Sequence, residues 1–196
     1  MKLALLALTI ALAAPSFTAA QSSSEKPTQQ SAALSQTASD PFAGVPAPKP
    51  DDVKSIDAIM AAVYDVISGP PGERDWTRFR SLFLSTARLT AATKDKDGTV
   101  RLRPMSADDY AARAGGYFLK NGFFERPIVN RVQTFGNVAQ VFSSYESRHA
   151  AGEAPFARGI NSFQLLNDGK RWWVVSILWD EERADNPLPK EFAAKP

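Results

Sequence analysis

The segment that most constrains this chain lies near its end. Residues 158–167 read Arg-Gly-Ile-Asn-Ser-Phe-Gln-Leu-Leu-Asn, Asp168-Gly169 follows, and residues 170–179 read Lys-Arg-Trp-Trp-Val-Val-Ser-Ile-Leu-Trp. An Asx-Gly pair between two β-rich runs is the strongest short-range signal of a hairpin. A two-residue turn at Asp168-Gly169 would oppose Leu165 with Trp172, Phe163 with Val174 and Asn161 with Ser176. By the period-two rule these pairs share one face.

The rest of the chain supplies helices first and strands afterwards. Asp51 or Asp52 can cap a helix from Val53 that carries Ile56, Ile59, Met60, Val63 and Ile67 at helical spacing, and Gly69-Pro70-Pro71-Gly72 stops it. A shorter helix follows Asp75 and carries Trp76, Phe79 and Phe83, with Leu82 and Leu84 widening its apolar face. Ala87–Ala92 and Thr99–Arg103 read as a strand and its return. Ser106-Ala107-Asp108-Asp109 opens a third helix to about Asn121 with acidic residues in its first turn. Four long strands follow: Phe123–Phe135, Val138–Arg148, Arg158–Leu166 and Arg171–Trp179. This order predicts an α+β domain with helices on one face of an antiparallel sheet.

Composition sets the boundaries. Lys2, an apolar run from Leu3 to Ala14 and small residues at Thr18-Ala19-Ala20 predict a signal peptide over residues 1–20, cut ahead of Gln21. The expected location is therefore outside the cytoplasm, periplasmic or secreted. The apolar run is too short to span a bilayer with ease, so no stable membrane insertion is expected. Residues 21–50, rich in Ser, Gln, Ala, Thr and Pro, predict a disordered linker, and residues 51–192 the single domain. Without Lys2 the chain carries 22 basic and 21 acidic residues, which gives nucleic acid no electrostatic footprint. The chain has no Cys, which excludes disulfides, thiolate zinc sites and a Cys nucleophile. With a single His, His149 at a strand end, no metal site and no cofactor are expected.

The element order, together with the closing Gly169-Lys170-Arg171-Trp172-Trp173-Val174-Val175, resembles the nuclear transport factor 2-like superfamily over about residues 53–182. That group includes ketosteroid isomerase, scytalone dehydratase and polyketide-cyclase-like (SnoaL-like) proteins. The resemblance implies a cone: a curved antiparallel sheet wrapped around about three N-terminal helices, with a pocket at the open end. It implies a concave face with Trp172, Val174, Ser176 and Leu178 from the last strand and Ala139, Val141, Ser143 and Tyr145 from an earlier one. The expected ligand set is Asn161, Ser176, Tyr145, Trp172 and Leu178, for an apolar small molecule. The only acid–base pair the pattern allows is Asp180 at the mouth with Tyr145. Ser176 and Leu178 stand where related sequences often carry histidine, which argues against dehydratase chemistry. The opposite face, with Trp173, Val175, Ile177 and Trp179, is too apolar to meet water and predicts a homodimer. Three functions stay open: a binding or accessory domain without assignable catalysis, an isomerase or cyclase, and a structural dimerisation module with a filled cone. A cavity holding a carboxylate of raised pKa would favour the enzyme.

Overall fold

The computed structural model describes residues 40–193. The predicted signal peptide and most of the predicted linker lie outside the described residues. The helices are α1 (Pro50–Val53), α2 (Ile56–Ile67), α3 (Trp76–Ser81) and α4 (Ala107–Phe118). The strands are β1 (Phe83–Lys94), β2 (Val100–Met105), β3 (Phe124–Phe135), β4 (Val138–Arg148), β5 (Ala157–Asn167) and β6 (Trp172–Glu181), and a 3-10 turn (Lys190–Phe192) follows.

Local chemistry sets the helix starts. Asp75 caps α3 by accepting from the Arg78 backbone N–H. Ser106 and Asp109 form a reciprocal capping box at α4. The first helix departs from expectation. Pro50 opens a single helical turn, and Ser55, not Asp51 or Asp52, caps the main helix α2 by accepting from Ala58 N–H. Phe83 and Leu84, expected at the end of the second helix, begin β1 instead.

The six strands form one curved sheet in the order β2-β1-β6-β5-β4-β3. It is mixed rather than wholly antiparallel, because β1 runs parallel to β6. At the β3–β4 turn Gly136 adopts φ +54, the left-handed conformation that a two-residue hairpin requires. Three irregularities bend the sheet. Ile128 is extra on β3, Val175 is extra on β6, and β1 slips against β6 between Phe83 and Arg88. Bulges sharpen twist and curl a strand, and here they wrap the sheet around α2 and α3. Ile59, Met60, Phe79, Phe83, Val141, Phe163, Leu165 and Val174 are buried at the centre. The expected inward set of β4 is buried as well: Ala139, Val141, Ser143 and Tyr145.

The final hairpin forms with a different register. Asp168 accepts from the backbone N–H groups of Lys170 and Arg171, and Asn167 pairs with Trp172, so the loop holds four residues rather than two. Beyond the Val175 bulge the facing inverts. Asn161 pairs with Trp179, not Ser176, and Phe163 pairs with Ile177. Ile177 and Trp179, expected on the outer face, therefore turn inward, while Ser176 and Leu178 turn outward.

The outer face carries its own cover. Residues 40–49, which composition assigns to the linker, lie against the domain. Pro41 O accepts from Ser85 N at 2.9 Å, and the Phe42 ring meets Trp173 edge-on at 5.2 Å. From the other end of the domain, Phe192 packs against Phe142, and its carbonyl accepts from Ser144 Oγ at 2.7 Å.

Candidate functional site

Inside the cone is a cavity of about 170 Å³. Val63, Ile67, Phe79, Phe163, Ile177 and Trp179 give it apolar walls, and Tyr64, Tyr110, Tyr145, Asn161 and Glu125 are the polar-tipped residues of its lining. An apolar pocket with a few convergent polar groups is the usual form of a small-molecule site.

Glu125 is the chemical centre, and the end of α2 fixes its place. Gly69 and Phe123 exchange backbone hydrogen bonds of 2.7 and 3.0 Å. Two residues on, Ser68 Oγ accepts from the Glu125 backbone N–H at 2.9 Å. The carboxylate then points across to β4, where Ser147 Oγ donates to Oε2 at 2.8 Å. Asn161 Nδ2 approaches Oε1 at 3.4 Å and donates to Tyr64 Oη at 3.2 Å, and Tyr64 Oη lies 2.6 Å from Ser143 Oγ. Among the described residues, every partner of this carboxylate is neutral. Burial pushes the Glu125 carboxyl up to about 7; the Ser147 and Asn161 hydrogen bonds oppose that rise, and the nearby Glu181 charge adds to it.

The phenols complete the set. Burial, reinforced by the charge of Glu125, holds the hydroxyls of Tyr64, Tyr110 and Tyr145 well above the ordinary tyrosine value, so they stay protonated donors. Tyr110 and Tyr145 make no side-chain hydrogen bond among the described residues, so both hydroxyls are free to meet a ligand. Tyr145 keeps its place because Gly159 faces it. A Cβ at position 159 would strike the Asp180 carbonyl oxygen and come within 2.8 Å of the Tyr145 hydroxyl.

Of the residues expected from sequence, Asn161 and Tyr145 line this cavity. Trp172 packs on the core without reaching the cavity. Ser176 is on the outer face, and Leu178 and Asp180 line an outer groove instead. Arg183 grips Asp180 at 2.5 and 3.0 Å, and that hydrogen bond lowers its pKa, the wrong direction for a base at neutral pH. The Asp180–Tyr145 pair is therefore not assembled, because the bulge puts the two on opposite faces. His149 stacks on Phe156 at 4.2 Å, beside the cavity rather than in it. Among the described residues, no group of three or more His, Asp or Glu is arranged to hold a metal ion.

Glu125 and Tyr64 escaped sequence reasoning, yet both left a signal. Glu125 shares its alternation with Phe123, and Tyr64 follows Met60 by four residues. The adjacent Arg126 makes Glu125 look like half of a solvated pair, and it is Glu146 that holds Arg126.

No protein-family model matches the sequence, and a search of curated proteins returns no match. Solved structures do match. A protein of unknown function with a cystatin-like fold from Nostoc punctiforme aligns with TM-score 0.51 at 9% identity, over 66% of this chain and 90% of that one. A protein of unknown function from Mycobacterium tuberculosis aligns with TM-score 0.50 at 13% identity, over 67% of this chain and 73% of that one. An NTF-2-like protein of unknown function from Silicibacter pomeroyi aligns with TM-score 0.45 at 15% identity, over 66% and 94%. These likenesses show the fold alone: a curved α+β sheet wrapped around helices, as in the cystatin-like fold of the Nostoc punctiforme protein.

Proposed function

We propose that the cone interior is a proton-transfer site for a small, largely apolar molecule, with Glu125 as the acid–base group. One observation carries the reading: a carboxyl without a cationic partner, raised to about 7, faces an apolar cavity that also holds two uncommitted phenols. A group poised near neutrality passes protons both ways. In the reaction we envisage, the Glu125 carboxylate takes a proton from a carbon next to a carbonyl. The C–H electron pair becomes a C=C bond to the carbonyl carbon and the carbonyl π pair moves onto oxygen, where the Tyr110 or Tyr145 hydroxyl donates to the enolate, which a neighbouring C=C of the substrate extends to a dienolate. Glu125 then returns the proton to another carbon, giving an isomer. An engineered cavity of about 150 Å³ holds one benzene, so the volume here suits a single ring.

Two measurements test this. Carbon-13 NMR titration should find the Glu125 carboxyl near 7; a value below 5 would sink the reading. Conversion of 3-cyclohexen-1-one to 2-cyclohexen-1-one, followed by absorbance of the conjugated ketone, should rise with pH through that value. It should fall by about 10²–10⁴-fold in Glu125→Gln, the usual weight of a positioned general base. An unchanged rate in that variant would also count against it.

A carrier is the second reading, favoured by the closed Glu125–Asn161–Tyr64–Ser143 chain of hydrogen bonds. A carrier would bind ligand equally well with Gln at 125 and turn nothing over. Export remains a proposal founded on the leader-like residues 1–20, tested by N-terminal sequencing of protein recovered outside the cytoplasm. Homodimerisation through the outer sheet face is likewise a proposal. Its apolar residues would be Phe135, Val138 and Leu178, which are exposed, and sedimentation equilibrium tests it.

A further inference from the structure

Tyr110, Phe123, Trp179 and Glu181 line both the inner cavity and a second cleft of about 720 Å³, so the two spaces adjoin. The outer cleft lies between the β1–β2 hairpin and α4, and it holds two arginines, Arg103 and Arg113.

The two arginines approach from different elements. Arg103 belongs to a cross-strand row: it pairs with Ala91, Ala91 with Trp179, and Trp179 with Asn161. Directly opposed residues share a face, so Arg103 is on the same concave face as Asn161. Ala91 beside Arg103 is small, and Trp179 beyond it is a wall shared by the cleft and the inner cavity. Arg113 follows Tyr110 by three residues and precedes Tyr117 by four, which puts all three on the cleft-facing side of α4. Among the described residues neither arginine has a carboxylate partner. Their neighbours do: Arg101 on the same strand holds Asp95, and Arg80 holds Asp108 on the same helix as Arg113.

The charge of the cleft selects its ligand. Arg103 and Arg113 stand against one acid, Glu181 at the neck, which leaves a net single positive charge. That balance suits a monoanion better than a dianion. A guanidinium fork matches a planar carboxylate through two parallel hydrogen bonds. The remaining walls include Met105, Ala114 and Phe118, which suit an apolar linker.

We propose that the substrate is a small carboxylic acid whose apolar body enters the inner cavity beside Glu125 while its carboxylate is held by Arg103 and Arg113. The reacting end of this assignment rests on the proton-transfer reading; the anion end rests on the arginines alone.

The test is calorimetric titration at pH 6 with 4-phenylbutyrate and 4-phenylbutyramide, which share a shape and differ in charge. The acid should bind about tenfold more tightly than the amide, as expected for a charge-assisted pair. Arg103→Gln and Arg113→Gln should each weaken acid binding several-fold and leave amide binding within about twofold. Equal affinities, no measurable binding of the acid at millimolar concentration, or arginine variants that weaken both ligands alike would overturn the proposal. Glu125→Gln separates the two readings. If it leaves both the isomerisation rate and the acid preference intact, proton transfer falls and the anion site stands. If it abolishes the acid preference, the carboxylate is held at the Glu125 end and the anion site falls.

Discussion

Two glutamates on neighbouring strands of one hairpin have opposite surroundings. Glu146, on the outer face of β4, is 8% exposed and receives Arg126 Nε at 2.5 Å and Arg148 at 2.7 Å. Glu125, on the inner face of β3, is half-buried at the cavity wall and receives only a hydroxyl and an amide. The first is how a fold stabilises a buried charge. The second leaves a charge in an apolar cavity, a cost that goes uncompensated unless the group stays protonated or a ligand shares its proton. The pair teaches that burial of a carboxylate says little until its partners are counted. The one without a cation is the candidate for chemistry.

Replacing each glutamate by its amide should move stability in opposite directions. The largest effect is expected at Glu125. Its folded pKa of about 7 lies above the ordinary value of 4.5, so between those values the folded state binds the proton that the unfolded chain has released. Stability from this group is therefore fully present below about pH 4.5 and is lost as pH rises through 7. Glu125→Gln should melt like the parent at pH 4.5 and be more stable at pH 8 by on the order of 2–3 kcal/mol. A variant less stable than the parent at pH 8 would mean that the carboxylate is stabilised there by a partner.

Glu146→Gln should do the reverse. It leaves the half-buried Arg148 and the exposed Arg126 without an anion, at a cost of about 1–2 kcal/mol at neutral pH. Denaturant unfolding at pH 7 measures it. A neutral or stabilising result would erase the contrast between the two sites.

Ser147→Ala acts on the Glu125 carboxyl itself. Ser147 donates the shorter of the two hydrogen bonds that hold the carboxyl down. Without it, the Glu125 pKa should rise by about one unit, roughly the weight of one hydrogen bond to a charged group. The NMR titration reads this directly, and a fall would show that the carboxyl had turned out toward solvent.

Much of this fold was legible in the residues. The Asp75 and Ser106 caps, the span of β4 and the inward alternation of Ala139, Val141, Ser143 and Tyr145 all follow from local rules. The site was legible only in part. Alternation carried Asn161 and Tyr145 to the correct face because β4 is unbroken and β5 has no extra residue. It failed beyond Val175, where one extra residue on β6 exchanged Ser176 and Leu178 for Ile177 and Trp179. No propensity at Val174-Val175 marks that bulge; it arises where β6 meets the slipped register of β1, a tertiary event. The Asp168 side chain widened the turn in the same way, by offering its oxygens to Lys170 and Arg171 in place of a tight Asp-Gly hairpin. Glu125 was hidden by its neighbour, since a Glu-Arg dipeptide at a strand start suggests solvent, and only the sheet shows that the two side chains part to opposite faces.

On the outer face the expected effect is small. Trp173 is 7% exposed, with the Arg171 guanidinium 3.6 Å above its ring and Asp168 accepting its indole N–H at 2.9 Å. Phe42 closes the remaining edge while staying 39% exposed itself. Because that ring is only partly buried, Phe42→Ala should cost about 1 kcal/mol, less than a fully buried aromatic would. The inner cavity lies on the other side of the sheet, so the Glu125 titration should not move. A chain that begins at Asp51 loses the Pro41–Ser85 hydrogen bonds as well, and should melt below Phe42→Ala. Equal melting of the parent and the shortened chain would mean that residues 40–49 only rest on the sheet. A shift of the Glu125 pKa in either protein would mean that the two faces are coupled through β6, and that the contrast between them is one of degree.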